Sequence, residues 1–196
     1  MAFSRRRGFV IGILLVASGV GGFFFQQTVG QKWLSPTMSE SPGAQDEPVL
    51  TPVDVVQVGE ALPDFVLSTL EGEQKTIKAW QGKTLLINFW ATWCPPCVRE
   101  IPLLIEGQKD WLGDQVQVIG IALDKPDKVQ AFAEDFQINY PLLVGGMDAI
   151  ELTRTLGNQY TTLPYTVFVD KNGIVRGVHA GELKKDIIIQ QLASHS

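Results

Sequence analysis

The residues with the clearest chemical potential in this chain of 196 residues are its two cysteines, Cys94 and Cys97. Only Pro95 and Pro96 separate them, and the apolar run Thr84–Trp90 precedes the pair. Two cysteines at this spacing in the first turn of a helix can close a small disulfide ring and reopen it. The sequence therefore predicts a redox-active dithiol, with Cys94 as the attacking thiolate and Cys97 as the resolving thiol.

A helix is predicted directly after the first cysteine. Apolar residues recur there at helical spacing, at Val98, Ile101 and Leu104. Prolines suit the first turn of a helix, where the missing N–H groups have no intrahelical partner. The helix N-terminus carries partial positive charge, so we expect it to lower the pKa of the Cys94 thiol. Pro102 lies inside the same helix and is expected to kink it.

Two other interpretations of the cysteine pair stay open. A structural zinc site needs four ligands, and besides the cysteines the chain offers two histidines, His179 and His195. A purely structural disulfide is the second alternative. However, closing so small a loop lowers the entropy of the unfolded chain only slightly, and a domain of this size is stable without a disulfide. We favour the redox dithiol and predict no metal and no cofactor besides the Cys94–Cys97 disulfide.

The N-terminal region predicts a membrane anchor. Phe9–Phe25 is apolar or small throughout, and Arg5, Arg6 and Arg7 precede it. A membrane span needs about 20 such residues, and this stretch lies at the short end of the accepted range. The positive-inside rule then keeps residues 1–8 in the cytoplasm and puts the rest of this single-pass protein on the outer side. A cleaved signal peptide is the alternative.

Charge and composition divide the remaining chain. Asp and Glu outnumber Lys and Arg by 21 to 16, which argues against a nucleic-acid partner. Residues 26–52 are rich in Ser, Pro, Gly and acids, and we predict a flexible linker there. The folded domain is predicted to span residues 53–196.

This domain alternates predicted strands with predicted helices. The strands are expected at 65–70, 74–77, 84–90, 116–122, 142–144, 165–169 and 174–179. The helices are expected after Cys94, around 129–136, at 147–156 and at 183–192. Strands joined through helices indicate a mostly parallel sheet in a three-layer α/β domain, with antiparallel hairpins at 71–72 and 170–173.

Two segments resemble a known family. Asn88–Cys97 (NFWATWCPPC), with Glu100 and Pro102, resembles the active-site region of the membrane-anchored TlpA/ResA group, which includes the CcmG (DsbE) proteins of cytochrome c maturation. Residues 162–181 resemble the later strand pair of the same group, and the resemblance covers about 59–192. It implies a thioredoxin-like fold, a central mixed β-sheet flanked by helices, with an N-terminal β-hairpin and an inserted βα unit at 140–157.

The resemblance also assigns substrate-binding residues. It implies that Pro164 is a cis-proline facing the dithiol, which exposes the backbone of Leu163 to a substrate segment. The residues alone would favour an ordinary trans proline at the start of a strand. Trp93 and Trp90 resemble the aromatic frame of the dithiol, although both would also serve as packing residues.

Glu100 occupies the position of an acid that is thought, in this group, to tune the cysteines or their proton transfer. A solvated helix carboxylate is the equally weighted alternative. General thioredoxins carry a buried aspartate at the position of Asn88, and asparagine cannot titrate. Glu100 is therefore the better candidate for proton transfer.

The sequence thus predicts a membrane-tethered thiol:disulfide oxidoreductase that acts on exported proteins, and the resemblance implies that it reduces their disulfides. The resemblance implies apocytochrome c as a candidate substrate and a membrane electron donor of the CcdA or DsbD type. The chain departs from the CcmG subgroup at 160–165, where a Gly-rich turn and an acid after the proline are missing. A disulfide-introducing oxidant and a non-catalytic adaptor remain alternatives, whereas the P-x-x-x-[ST]-x-x-C motif of a peroxiredoxin is absent.

Overall fold

The computed structural model describes residues Val55–Ser194. The cytoplasmic segment, anchor and linker predicted at 1–8, 9–25 and 26–52 lie outside the described residues, as does His195. Within 55–194, the helices are too short or too polar to cross a membrane.

Strands and helices alternate along the described chain. The strands are β1 (Val66–Thr69), β2 (Gln74–Thr76), β3 (Thr84–Trp90), β4 (Val116–Ala122), β5 (Leu142–Val144), β6 (Tyr165–Val169) and β7 (Val175–Ala180). The α-helices are α1 (Pro95–Glu106), α2 (Pro126–Phe136), α3 (Met147–Thr155) and α4 (Lys185–Ala193). The predicted hairpin is β1 and β2, and the predicted βα unit is β5 and α3.

The strands form one mixed sheet in the order β2-β1-β5-β4-β3-β6-β7. Only two of its six strand pairs, β3 with β4 and β4 with β5, are parallel. The expectation of a mostly parallel sheet was therefore wrong. The physical reason lies in the β5–α3–β6 connection: residues 156–164 bring the chain back after α3, so that β6 starts beside the end of β3, with Tyr165 opposite Phe89.

Helices cover both faces of the sheet, which gives the predicted three layers. Buried residues of α1, α2 and α4 pack on one face against Leu86, Val118 and Phe168. Buried residues of α3 and Ile77, in a short 3-10 helix (Ile77–Trp80), pack on the other face. The dithiol belongs to the first of these two cores, since both cysteines lie in the same apolar cluster as Trp90.

The ends of α1 and α4 show two features that the sequence did not predict. α1 runs through Pro102 and is followed directly by a π-helical turn, Gly107–Trp111. In that turn, the Gln108 side chain accepts a hydrogen bond from the Val118 N–H at 2.7 Å, on the part of β4 that β5 does not reach. α4 begins at Lys185 instead of Leu183, because the backbone of Lys184, its N-cap residue, is extended with φ -123° and ψ 157°.

Candidate active site

The two cysteines lie at the turn between β3 and α1 and form a disulfide. Their Cα atoms are 5.3 Å apart. Cys94 is the N-cap residue of α1, with its carbonyl accepting from the Val98 N–H at 3.1 Å. Its own N–H donates to the Ala91 carbonyl at 3.2 Å, which closes the turn after β3. This places Cys94 at the positive end of the helix dipole, with Cys97 one turn inside and fully buried.

The carboxylate of Asp124, which follows β4, stabilises the turn between β3 and α1. The Thr92 hydroxyl donates to Asp124 Oδ2, and the Lys125 N–H donates to Asp124 Oδ1 at 2.7 Å. Burial alone would raise the pKa of Asp124, but these hydrogen bonds and the charge of Lys128 outweigh it and the pKa lies below its ordinary value. We did not predict Asp124 from the sequence. The signal was its position just after β4, since the carboxyl ends of parallel strands meet at one edge of a sheet.

Replacing Thr92 with valine tests this contact. We expect Thr92→Val to lower the free energy of unfolding by about 1 kcal/mol, because Asp124 loses a donor. Urea unfolding of the oxidised protein measures the loss. Thr84→Val is the matched control, since Thr84 lies at the start of β3 and has no side-chain hydrogen bond among the described contacts. Equal losses in the two variants would show that the Thr92–Asp124 contact contributes nothing.

Leu163, Pro164 and Trp93 lie at the same edge. The Leu163–Pro164 peptide bond is cis, and β6 begins with the next residue. Leu163 packs against the apolar cluster that contains both cysteines. Trp93, next to Cys94, leaves 64% of its surface exposed. An exposed indole thus adjoins Cys94 in the chain, and a partly buried leucine packs against the apolar cluster that holds the dithiol.

A buried asparagine shapes the loop that leads into Leu163. Asn158 Nδ2 donates to the Thr162 carbonyl, and the Thr162 N–H donates to Asn158 Oδ1, both at 2.9 Å. Tyr160 projects from this loop with 91% of its surface exposed. Asn158 was not predicted from the sequence, although asparagine is a residue type that commonly forms hydrogen bonds with nearby backbone in loops.

Glu100 is buried in α1, with 1% of its surface exposed. Its Oε1 accepts from Asn88 Nδ2 at 2.8 Å, and its Oε2 accepts from the Leu183 N–H at 2.6 Å. Burial is the largest influence and raises the pKa of Glu100 to about 7, against the effect of these two hydrogen bonds. The negative charge of Glu182 acts in the same direction as burial. The alternative of a solvated carboxylate was therefore wrong.

Further polar groups lie close to Glu100 inside the core. Asn88 Nδ2 also donates to the Thr166 hydroxyl at 3.0 Å. Among the described residues, Asn88 Oδ1, Trp90 Nε1 and the Tyr140 hydroxyl have no hydrogen-bond partner. Burial first, and then the charge of Glu100, raises the pKa of Tyr140. Glu100 thus titrates in a buried polar pocket one helical turn from Cys97.

Asn88→Asp tests the electrostatics of this pocket. Two buried carboxyl groups in contact cannot both ionise, so they will share one proton. We expect the variant to lose at least about 2 kcal/mol of stability at pH 8, and less at pH 5, where the proton is retained. Denaturant unfolding at both pH values measures this. Gln159→Glu, the same amide-to-acid change at an exposed position, serves as the control, and an equal pH dependence in both variants would contradict the arrangement.

A cavity of about 530 Å³ at the ends of β4 and β5 is lined by Leu123, Asp124, Lys125 and Gly146, among others. Among the described residues, no group of three or more His, Cys, Asp or Glu side chains is placed to hold a metal ion.

The thioredoxin-like fold and the dithiol at its strand-to-helix turn define a thiol-disulfide oxidoreductase. Residues 58–178 match the AhpC/TSA family, and the chain belongs to this family. This confirms the predicted thioredoxin-like class, although the peroxidatic motif of peroxiredoxins is absent.

Curated relatives and solved structures agree with this assignment. The chain is 36% identical over 140 residues to the thiol-disulfide oxidoreductase ResA of Geobacillus thermodenitrificans, covering 71% of this chain and 78% of the relative. It is 32% identical over 143 residues to the thioredoxin-like protein YneN of Bacillus subtilis, covering 70% and 79%. A crystal structure of a thiol:disulfide interchange protein from Chlorobium tepidum superposes with a TM-score of 0.59 at 29% identity, covering 70% and 97%.

Proposed function

We propose that this protein is a membrane-tethered oxidoreductase that reduces disulfides of exported proteins with the Cys94–Cys97 dithiol. The observation that carries the proposal is the placement of the disulfide at the N-terminus of α1, with Cys94 as the N-cap and Cys97 fully buried one turn inside. The similarity to proteins named thiol-disulfide oxidoreductase ResA supports the same chemistry.

The reaction consists of two thiol–disulfide exchanges. In the reduced protein, the Cys94 thiolate attacks one sulfur of the target disulfide, whose S–S bond breaks and releases the first target thiolate. The Cys97 thiolate then attacks the Cys94 sulfur of the mixed disulfide and releases the second target thiolate. The target gains two electrons and takes up two protons, and the Cys94–Cys97 bond forms.

Glu100 is suited to accept the proton of the buried Cys97 thiol and to return it. Cys97 has no exposed surface, so its proton cannot pass directly to solvent. Glu100 lies three residues further on α1, where side chains share a helix face. Its pKa of about 7 lets it both accept and return a proton near neutral pH.

Substrates and location complete the proposal. Trp93 and Leu163 offer apolar contacts to a polypeptide around its disulfide, and the backbone of Leu163 offers hydrogen bonds. The apolar stretch at 9–25 tethers the domain to the outer side of the membrane. An apocytochrome c is the candidate substrate that the family resemblance supplies. The oxidised protein needs two electrons to return to the dithiol, for which a CcdA- or DsbD-type membrane donor is suited.

The reduction potential of the purified protein tests the direction of electron flow. The protein is equilibrated with defined thiol/disulfide buffers, and the free thiols of Cys94 and Cys97 are labelled. We expect a potential near that of thioredoxin, about -270 mV, which favours reduction of targets. A potential near about -120 mV, as in strong oxidants, would contradict the proposal and indicate disulfide introduction.

A further inference from the structure

The loop at 181–184, which joins β7 to α4, is hydrogen-bonded to Pro164 and to Glu100. At one end, the Gly181 N–H donates to the Pro164 carbonyl at 2.9 Å. At the other end, the Leu183 N–H donates to Glu100 Oε2 at 2.6 Å. Only Glu182 separates these two donors, so a displacement at one end of the loop moves the other.

The hydrogen bond from Leu183 to Glu100 holds this loop more strongly than the ion pair between Glu182 and Arg99. Glu100 is buried and so is Leu183, and a carboxylate is a strong acceptor in such surroundings. Between them, Glu182 accepts from Arg99 Nε at 2.8 Å and contacts its Nη2 at 2.6 Å. Arg99 is largely exposed, so this outer ion pair contributes little by itself.

The other end of the loop depends on the backbone conformation of Gly181. Its φ angle of +109° is one that residues with a Cβ rarely adopt. No atom lies within 4 Å of the position that a Cβ would take. Glycine is therefore favoured here by the backbone conformation and not by crowding. The glycine thus lets the N–H point to the Pro164 carbonyl.

We propose that the 181–184 loop is a positioning device, through which Glu100 fixes the substrate-binding backbone at Leu163 and Pro164. Glu100 then acts on substrate binding as well as on the dithiol. The path runs from Glu100 through Leu183 and Gly181 to Pro164, and Gly181 is a positioning residue in it. The inference rests on the proposed function, since it concerns how protein substrates are held.

Gly181→Ala tests the path, and Gly59→Ala is its matched control. Gly59 also has a positive φ, +101°, and no atom within 4 Å of a Cβ position. Its N–H likewise donates to a backbone carbonyl, that of Val175, at 2.7 Å. The two variants therefore introduce similar backbone strain, but only Gly181 lies on the path to Pro164.

The readout compares a protein disulfide with a small one, using the full-length protein. For insulin, we expect Gly181→Ala to raise KM on the order of tenfold, because the binding backbone is displaced. With hydroxyethyl disulfide, which is too small to pair with the backbone, the rate should stay within twofold. Gly59→Ala should leave both unchanged.

A double-mutant cycle tests the connection to Glu100. Glu100→Gln alone should also raise KM for insulin. Combined with Gly181→Ala, it should raise KM by less than the product of the two single effects, because both variants weaken one path. Combined with Gly59→Ala, the effects should multiply. Equal KM values in Gly181→Ala and Gly59→Ala, or an unchanged KM in Glu100→Gln, would overturn the inference.

A second measurement needs only the conservative Glu100→Gln variant. By NMR, its Gly181 amide should exchange with solvent on the order of tenfold faster than in the wild type, with Gly59 unchanged. Unchanged exchange at Gly181 would overturn the inference even if Gly181→Ala failed to fold. If the wild type did not reduce insulin at all, the proposed function itself would fail and this inference with it.

Discussion

Cys94→Ser is expected to lower kcat/KM for insulin reduction by at least about a thousandfold, a modest share of the acceleration that enzymes typically give. The serine hydroxyl is a poor nucleophile towards a disulfide sulfur and cannot form the mixed disulfide. The helix N-terminus that stabilises a thiolate at this position cannot compensate for the missing sulfur. Turnover with dithiothreitol as electron donor measures the effect.

Cys97→Ser, compared with Cys94→Ser, distinguishes the attacking from the resolving cysteine. It keeps the attacking sulfur and loses only the resolving one, so it should react once and then stop at the mixed disulfide. Turnover should fall as in Cys94→Ser, while the initial reaction with one equivalent of substrate persists. Wild-type turnover in Cys94→Ser would contradict the assignment of the nucleophile.

The second large effect concerns the pH dependence of stability through Glu100. Its pKa rises from 4.5 to about 7 on folding, so the folded protein holds this proton more tightly than the unfolded chain. The contribution to stability is therefore fully present below about pH 4.5 and is lost as the pH rises through 7. At 1.36 kcal/mol per pKa unit, the loss amounts to about 3 kcal/mol.

Glu100→Gln should remove this dependence, since its amide has no proton to lose. We expect denaturant unfolding of the oxidised wild type to weaken by about 2.5 kcal/mol more than that of the variant between pH 5 and pH 8. Glu151→Gln, on an exposed position of α3, is the matched control and should follow the wild type. Parallel stability curves for the wild type and Glu100→Gln would contradict the raised pKa.

The sequence was sufficient for the elements that carry the dithiol. β3, β4 and β5 have the predicted bounds, because each is a nearly continuous apolar run that two faces of the sheet bury. The helix after Cys94 was also predictable, since two prolines and an apolar repeat both indicate where it begins. These local signals place the cysteines without any knowledge of distant contacts.

The surroundings of the dithiol depend on contacts that are remote in sequence. The hydrogen bond from Leu183 to the buried Glu100 joins residues 83 positions apart. The contact between Thr92 and Asp124 spans 32 positions. Local periodicity does not indicate such pairs, and for this reason the burial of Glu100 could not be predicted. For Asp124, the one signal was its position just after β4.

Trapping of the mixed disulfide tests the central claim most directly. Reduced Cys97→Ser is mixed with insulin, quenched with acid and analysed by peptide mass spectrometry. We predict a covalent adduct through Cys94 and none in the Cys94→Ser variant, whose remaining thiol is fully buried. An adduct through Cys97, or no adduct in either variant, would contradict the proposal that Cys94 is the attacking thiolate.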